Sequence, residues 1–179
     1  MIFEENTIKS EKIYEGKVVG LRVDTVELPD QKYSKREIVE HVGGVGILAI
    51  NSEGKIILVK QYRKAVDRVL LEIPAGKLEL NEEPRETAGR ELEEETGYIA
   101  KDIKYLSEIY PTPGYCSEKI HLFQSTDLEV GKQDLDDNEY LDVHEYTIDE
   151  VVKMIERGDI IDAKTIVAVL LYTNSLKDR

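Results

Sequence analysis

The sequence predicts an α+β fold in which a mixed β-sheet is packed between helices and preceded by a small antiparallel β-sheet. Two observations predict it. Short apolar runs bounded by turn residues precede a single helical segment, and further runs of this kind follow it before two closing helices. The helical segments have the end signals of helices, a proline in the first turn of one and glycines after two of them.

The first part of the chain predicts two strands joined by a tight turn. Lys17–Leu28 and Tyr33–His41 are the strands, and Pro29 to Gln31 form the turn. An isolated hairpin is marginally stable in water. We therefore interpret residues 1–42 as an N-terminal β subdomain and residues 43–179 as the main domain.

The main domain predicts six further strands and three helices. The first helix begins with Pro84 in its first turn and ends at Gly97. The expected strands are Val45–Ile50, Ile56–Val59, Val69–Ile73, Ile103–Tyr110, Lys119–Gln124 and Leu141–Tyr146, and the closing helices are Ile148–Arg157 and Ala163–Leu176.

The composition excludes several classes of partner. The formal net charge of −13 over 179 residues disfavours binding to nucleic acid or to an anionic membrane. The longest apolar run near the C-terminus, Ile166 to Tyr172, is far shorter than the roughly 20 residues that span a bilayer. Cys116 is the single cysteine, and the N-terminus is polar, so we expect a cytoplasmic protein. A phosphate-bearing substrate would need cations to approach such a surface.

The first helix violates two local rules of helix stability. Glu91, Glu94 and Glu95 share one helix face at spacings of i, i+3 and i+4, where like charges repel. They also lie in the last turn, where the helix dipole favours cations. A bound hard cation resolves both conflicts, because magnesium prefers carboxylate oxygens. The alternative is a solvated acidic face, which is the usual role of a Glu-rich helix.

A longer pattern favours the cation. Gly76, Glu82, the run Arg90-Glu91-Leu92, the pair Glu94-Glu95 and Gly97 occur at fixed spacing. This pattern resembles the signature of the Nudix hydrolases, which cleave nucleoside diphosphates linked to another moiety. Tyr98 departs from the family, which usually has an aliphatic residue there; we interpret it as a packing variation.

The resemblance implies a metal site. Glu91 and Glu95 match metal ligands, and Glu94 matches a further carboxylate of the cluster. The backbone carbonyl of Ala75 matches another metal contact, and Arg90 matches an arginine that orients the glutamates. The expected cofactor is magnesium, or manganese in its place, with more than one ion per site.

Outside the signature, the chain is similar to bacterial enzymes of the family that hydrolyse ADP-ribose to AMP and ribose 5-phosphate. The substrate-binding residues implied by that similarity are Arg36, Glu37, Arg63, Pro113 and Glu118. Their structural alternatives are a cross-strand ion pair for Arg36 and Glu37, a surface arginine for Arg63 and a loop-shaping proline for Pro113.

The resemblance also implies a general base in a loop after the first helix. In that loop, Glu139 matches a glutamate that can bind metal, and Asp137 stands where relatives have the proposed base. Asp137 acting through a water, Glu139 acting directly and a solvated acidic turn all stay open. The implied partners are a small nucleoside diphosphate derivative and a second copy of the chain as a homodimer. Another nucleotide sugar, a nucleoside triphosphate or a sensing role without cleavage are the alternatives.

Overall fold

In a computed structural model, residues 3–79 and 81–177 are described, and the chain divides into two compact units. The first unit comprises the chain up to Gly43 together with Tyr110–Lys119. The second comprises Gly44–Ile109 and the chain from Ile120 onward.

The first unit is built on a three-stranded antiparallel sheet in the order β1-β2-β3, comprising Asn6–Glu15, Gly20–Glu27 and Tyr33–Glu40. The segment Tyr110–Lys119 joins this unit through Val39. The N–H of Val39 donates to the carbonyl of Tyr115 at 2.8 Å, and the N–H of Ser117 donates to the carbonyl of Val39 at 2.9 Å. No sequence signal pointed to this pairing, since Tyr110–Lys119 contains turn residues and lies far along the chain.

Strand β1 is an element that the sequence analysis did not predict. All ten of its residues are exposed, so its side chains show no alternation of buried and exposed positions. Irregular pairing near Thr7 and near Lys12 shifts the register with β2 and also removes the two-residue period. Strand β2 begins at Gly20 and not at the predicted Lys17, because a turn closed by the hydrogen bond from the N–H of Gly16 to the carbonyl of Val19 occupies that position.

The second unit contains a mixed seven-stranded sheet. Its main path runs β12-β5-β4-β10-β9, with β6 paired to β5 and β7 paired to β4. Only the pairing of β10 with β4 is parallel. The strands are β4 (Gly44–Ile50), β5 (Lys55–Arg63), β6 (Arg68–Glu72), β7 (Ala75–Lys77), β9 (Lys104–Ile109), β10 (Ile120–Ser125) and β12 (Leu141–Thr147); β8 (Tyr98–Ala100) and β11 (Leu128–Val130) form a separate pair.

Three helices among the described residues complete the second unit: α1 (Pro84–Thr96), α2 (Ile148–Arg157) and α3 (Ala163–Lys177). Gly97 and Gly158 have positive φ values of 74° and 78° at the ends of α1 and α2, as the predicted caps require. A capping box between Thr147 and Glu150 begins α2. None of these helices has the length and apolar character needed to cross a membrane.

The two faces of the sheet bury two apolar clusters, because alternate residues of a strand point to opposite faces. On β4, Leu48 and Ile50 pack in one cluster with residues of α2 and α3. Val45, Ile47 and Ala49 pack in the other with Ala88 and Leu92 of α1. Helices therefore cover both faces, which confirms the predicted fold class. Tyr98 packs against the α1 cluster, and its hydroxyl donates to Glu145 at 2.7 Å.

Candidate active site

The acidic end of α1 faces the start of β7. Glu95 is only 2% exposed, and its carboxylate accepts a hydrogen bond from the N–H of Ala75 at 3.0 Å. Pairing of β7 with β4 fixes this backbone, with Gly46 opposite Ala75 and Val45 opposite Gly76. The residue whose carbonyl was predicted to bind metal is thus held against a predicted carboxylate ligand.

Gly76 leaves the space that the Glu91 carboxylate occupies. A Cβ atom at Gly76 would lie 1.9 Å from the carboxyl carbon of Glu91 and 2.0 Å from one of its oxygens. Both distances are far below van der Waals contact. The glycine of the signature therefore acts through its missing side chain, not through a special backbone conformation.

Arg90 joins the other acidic residues of the signature. Its guanidinium donates to both oxygens of Glu82 at 3.1 Å and to Glu94 at 2.7 Å, and lies 3.1 Å from Glu91. The hydrogen bonds to Glu82 and the negative charges of Glu91 and Glu94 raise the pKa of Arg90. One guanidinium thus contacts three glutamates of the signature.

Burial and mutual repulsion perturb the carboxylates of α1. Burial raises the pKa of Glu95 to about 8; the Ala75 hydrogen bond opposes this, and the charges of Glu91 and Glu139 add to it. Burial also raises the pKa of Glu91, while the charge of Arg90 lowers it. Carboxyl groups in this state are poised to bind a cation, which offsets the repulsion.

The predicted base loop reaches this cluster through Glu139. Burial raises the pKa of Glu139, and the charges of Asp136 and Glu94 add to that effect. Asp137 is exposed, and within the described part of the chain it has no hydrogen bond or ion pair. Of the two candidate bases, Glu139 is therefore the one that interacts with the carboxylates.

Three hydrogen bonds hold the segment just before this loop, residues 131–134, against the end of α1. The N–H of Gly131 donates to the carbonyl of Gly97 at 2.7 Å, and the N–H of Asp134 donates to that of Glu94 at 3.0 Å. The side chain of Gln133 donates to the carbonyl of Glu95 at 2.6 Å. The last carbonyls of a helix have no partner within it, and the loop supplies one for each of these.

Arg63 at the end of β5 contributes positive charge to the same region. It lowers the pKa of both Glu95 and Glu139 by its charge. Its Nε and Nη2 atoms donate to the two oxygens of Glu72, each at 2.8 Å. The arginine predicted to contact phosphate is thus close to the carboxylates and held by a bidentate ion pair.

The donor set fits a hard divalent cation. Across residues 3–79 and 81–177, no group of three or more histidine, cysteine, aspartate or glutamate side chains is arranged so that it could hold a metal ion. Magnesium does not need such a group, since it usually binds one or two carboxylates and completes its shell with waters and substrate phosphates. The cradle at Gly76 and the buried, mutually repelling carboxylates are what such an ion would require.

The remaining predicted substrate residues belong to the first unit. The guanidinium of Arg36 pairs with Glu5, not with the exposed Glu37, so the expected alternative of an Arg36–Glu37 pair is not seen. Pro113 is exposed. Glu118 lies 3.6 Å from His41 Nδ1, and the same nitrogen accepts a hydrogen bond from the N–H of Gly43.

Three site residues escaped the sequence analysis: Glu72, Lys164 and Gln133. The sequence did contain a signal for Glu72, because this charged residue interrupts the apolar run from Val69 to Ile73. A charge there is seldom buried unless it is paired. No pattern in the sequence marks Lys164 or Gln133.

Two family models match this chain. Residues 40–169 match the NUDIX domain family. The chain belongs to the Nudix family. Residues 5–39 match a second family, the nucleoside diphosphate sugar hydrolase N-terminal domain. The family predicted from the signature is thereby confirmed.

Relatives and a solved structure extend this result over nearly the whole chain. An ADP-ribose pyrophosphatase from Bacillus subtilis is 50% identical over 168 residues, 93% of this Nudix chain and 91% of the relative. A methanol dehydrogenase activator from Bacillus methanolicus is 48% identical over 170 residues, 94% of this chain and 92% of that one. The crystal structure of an ADP compounds hydrolase has a TM-score of 0.88 at 22% identity, covering 99% and 97% of the two chains, which shows a shared fold.

Proposed function

We propose that this Nudix protein hydrolyses the diphosphate bond of ADP-ribose to give AMP and ribose 5-phosphate. The observation that carries the proposal is the buried carboxylate cluster of Glu91 and Glu95, with Glu139 and Arg63 beside it. Its acidic residues bind the cation and its arginine binds the anion, as cleavage of a diphosphate requires. The 50% identity to an ADP-ribose pyrophosphatase supports this choice of substrate.

Magnesium is the proposed cofactor, with manganese able to replace it and more than one ion per site; when bound it neutralises phosphate charge and lowers the pKa of water. Glu91, Glu95 and the carbonyl of Ala75 would hold it, and Glu94 and Glu139 would be the further carboxylates of the site. Their oxygens have the chemistry that magnesium prefers.

The reaction adds one water to the substrate. The water oxygen forms a bond to one phosphorus, the bond from that phosphorus to the bridging oxygen breaks, and the bridging oxygen leaves with the other phosphate. We assign Glu139 as the base that takes the water proton, because it lies beside the carboxylates of α1 and Arg63, and burial raises its pKa, which favours uptake of a proton. Asp137 acting through a second water is the alternative.

Substrate recognition is proposed to use the residues that the family resemblance implies. Arg63 binds a phosphate oxygen, since a guanidinium suits anionic oxygens. Arg36, Glu37, Pro113 and Glu118 are proposed to contact the rest of the substrate. The pair between Arg36 and Glu5 is exposed and contributes little stability, so a substrate could displace Glu5 at small cost.

We also propose a cytoplasmic homodimer formed through the first unit. The support is the apolar surface of β1, where Ile8, Ile13 and Tyr14 are 56–58% exposed. A three-stranded sheet with apolar side chains in water is a poor monomer.

A substrate panel tests the proposal. The purified protein is incubated with magnesium and, separately, with ADP-ribose, GDP-mannose, diadenosine polyphosphates and nucleoside triphosphates, and products are separated by chromatography. The expected result is AMP from ADP-ribose with a kcat/KM well above that of any other compound. Preferred cleavage of another compound would contradict the substrate, and binding of ADP-ribose without any cleavage would indicate a sensor.

A further inference from the structure

Glu72 is the most deeply buried acidic side chain next to the proposed phosphate-binding arginine. It ends β6 and is 1% exposed. One oxygen accepts from Arg63 Nε and the other from Arg63 Nη2, both at 2.8 Å. The second oxygen also accepts from the amino group of Lys164. One carboxylate is therefore shared between two cations.

Lys164 is itself fixed by the start of α3. Its amino group donates to one oxygen of Asp162 at 3.0 Å. The other oxygen of Asp162 accepts from the N–H of Thr165 at 3.0 Å and from its hydroxyl at 2.6 Å. The Thr165 hydroxyl oxygen in turn accepts from the N–H of Ile73 at 2.8 Å, which returns the network to the end of β6.

This network leaves one part of the Arg63 guanidinium for another ligand. Glu72 occupies Nε and Nη2, and no acceptor for Nη1 exists among the residues that the structure describes. The guanidinium is planar, so a bidentate partner on one edge fixes the direction of the remaining amino group. The charges of Glu95 and Glu139 act on the same guanidinium, which places it beside the carboxylate cluster.

Stability alone does not explain a buried pair of this kind. Replacing a buried ion pair by apolar groups is often neutral or stabilising, because desolvation of the charges is expensive. The pair also fixes the direction of the Arg63 guanidinium beside the carboxylate cluster. Its geometry therefore calls for a role in the reaction.

We propose that Glu72, supported by Lys164, is a positioning residue that aims Nη1 of Arg63 at an anionic oxygen of the substrate diphosphate. The inference rests on the proposed function, because it assigns Arg63 a phosphate ligand. Glu72 touches no reacting atom and acts only through Arg63.

A double-mutant cycle separates this role from a structural one. The variants are Arg63→Ala, Glu72→Gln and the double variant, with Glu129→Gln as the control, because Glu129 forms an exposed ion pair with Lys101. Because Glu72→Gln no longer fixes the direction of the Arg63 guanidinium, we expect it to lower kcat/KM by about 10²-fold. It should shift KM and kcat in the same proportions as Arg63→Ala, and the double variant should be no worse than Arg63→Ala. Multiplying losses in the double variant would overturn the proposal.

Chemical rescue gives a second test that does not need Glu72→Gln to fold. Guanidinium ion, added below its denaturing range, should restore part of the activity of Arg63→Ala, because Glu72 still presents two oxygens to it. Methylammonium, which has the same charge without the planar edge, should restore less. Equal rescue by both ions, or equal rescue of the double variant, would show that Glu72 does not position the guanidinium.

Calorimetric binding of ADP-ribose, measured on the same proteins without magnesium, distinguishes failure of the pair from failure of the proposed reaction. If the unmutated protein binds ADP-ribose but does not cleave it when magnesium is added, the proposed hydrolysis is wrong. In that case, equal weakening of ADP-ribose binding by Glu72→Gln and Arg63→Ala would still support the positioning of Arg63 by Glu72. If the unmutated protein cleaves ADP-ribose and Glu72→Gln alters neither binding nor turnover, the positioning role of Glu72 is wrong and the proposed hydrolysis is supported.

Discussion

At Gly76, a single missing carbon decides where the Glu91 carboxylate can lie. Gly76→Ala would place a Cβ 1.9 Å from the carboxyl carbon, and the flexible end of Glu91 would have to move away. We expect the variant to fold with a similar melting temperature and to lose most of its hydrolysis of ADP-ribose. Thermal melting and initial rates of AMP release measure the two effects, and a fully active variant would show that Glu91 is not needed where it lies.

The pH dependence of stability should report on Glu72. Burial alone would raise its pKa, but the hydrogen bond from Arg63 and the charge of Lys164 outweigh burial and hold the pKa below its ordinary value. A carboxyl group with a lowered folded pKa stabilises the fold above its unfolded pKa of about 4.3 and loses that contribution as the pH falls through the folded value.

Glu72→Gln removes this titration. The difference in melting temperature between the original chain and the variant should therefore be largest near neutral pH and shrink below about pH 4. Melting curves across that range measure it. A difference that stays constant down to the most acid pH would mean that the Glu72 charge contributes nothing.

Among the elements, the loop carrying Glu139 depends on its attachment to α1. Gln133→Ala removes the side-chain hydrogen bond to the carbonyl of Glu95, a contribution of about 1 kcal/mol to order in the loop. We expect a lower kcat for ADP-ribose and faster amide hydrogen exchange at residues 134–140. Lys132→Ala, at the exposed neighbouring position, is the matched control and should change neither. Unchanged exchange in Gln133→Ala would rule out the anchoring role.

Elements with a strong local pattern could be predicted from the sequence, and elements defined by pairing could not. Helix α1 begins at a proline and ends before a glycine, so its bounds could be predicted, while the metal-binding role of its acidic face stays a prediction. Strand β1 lacks a regular period and was missed. The contact of Arg63 with Glu72 depends on the β5–β6 register. Val59 stands opposite Glu72 and Arg63 opposite Arg68, so the ion pair joins residues that are not direct cross-strand partners.

For the whole molecule, the family and the fold followed from the sequence, while the geometry of the site needed the structure. The Nudix signature identified Glu91 and Glu95 before any coordinates. The reason for Gly76 became visible only once the chain segments were brought together, and the roles of Asp137 and Glu139 stay predictions. The roles of Arg36, Glu37, Pro113 and Glu118 stay predictions.

The oligomeric state is a prediction for the whole molecule. We expect light scattering after gel filtration to give twice the mass of the 20.4 kDa chain. The double variant with Ile8→Lys and Ile13→Lys replaces two exposed apolar side chains of β1 by charged ones. It should be a monomer, because the dimer interface would have to bury the added charges. Lys9→Glu, also on β1 but already charged, is the control. A monomeric original chain would contradict the proposed dimer.

The central claim is that the carboxylates at the end of α1 form a cation site that performs hydrolysis, and Glu95→Gln tests it most directly. Glutamine keeps an oxygen that can accept from the N–H of Ala75, and it cannot ionise. Because burial raises the pKa of Glu95 to about 8 and so disfavours its charged form, the metal-free fold of the variant should be at least as stable.

The measurement is kcat for AMP release from ADP-ribose, taken with the rise in melting temperature that magnesium produces in each protein. We predict that Glu95→Gln lowers kcat by orders of magnitude and loses most of the stabilisation by magnesium. A variant that keeps both the turnover and the magnesium effect of the original chain would contradict the account.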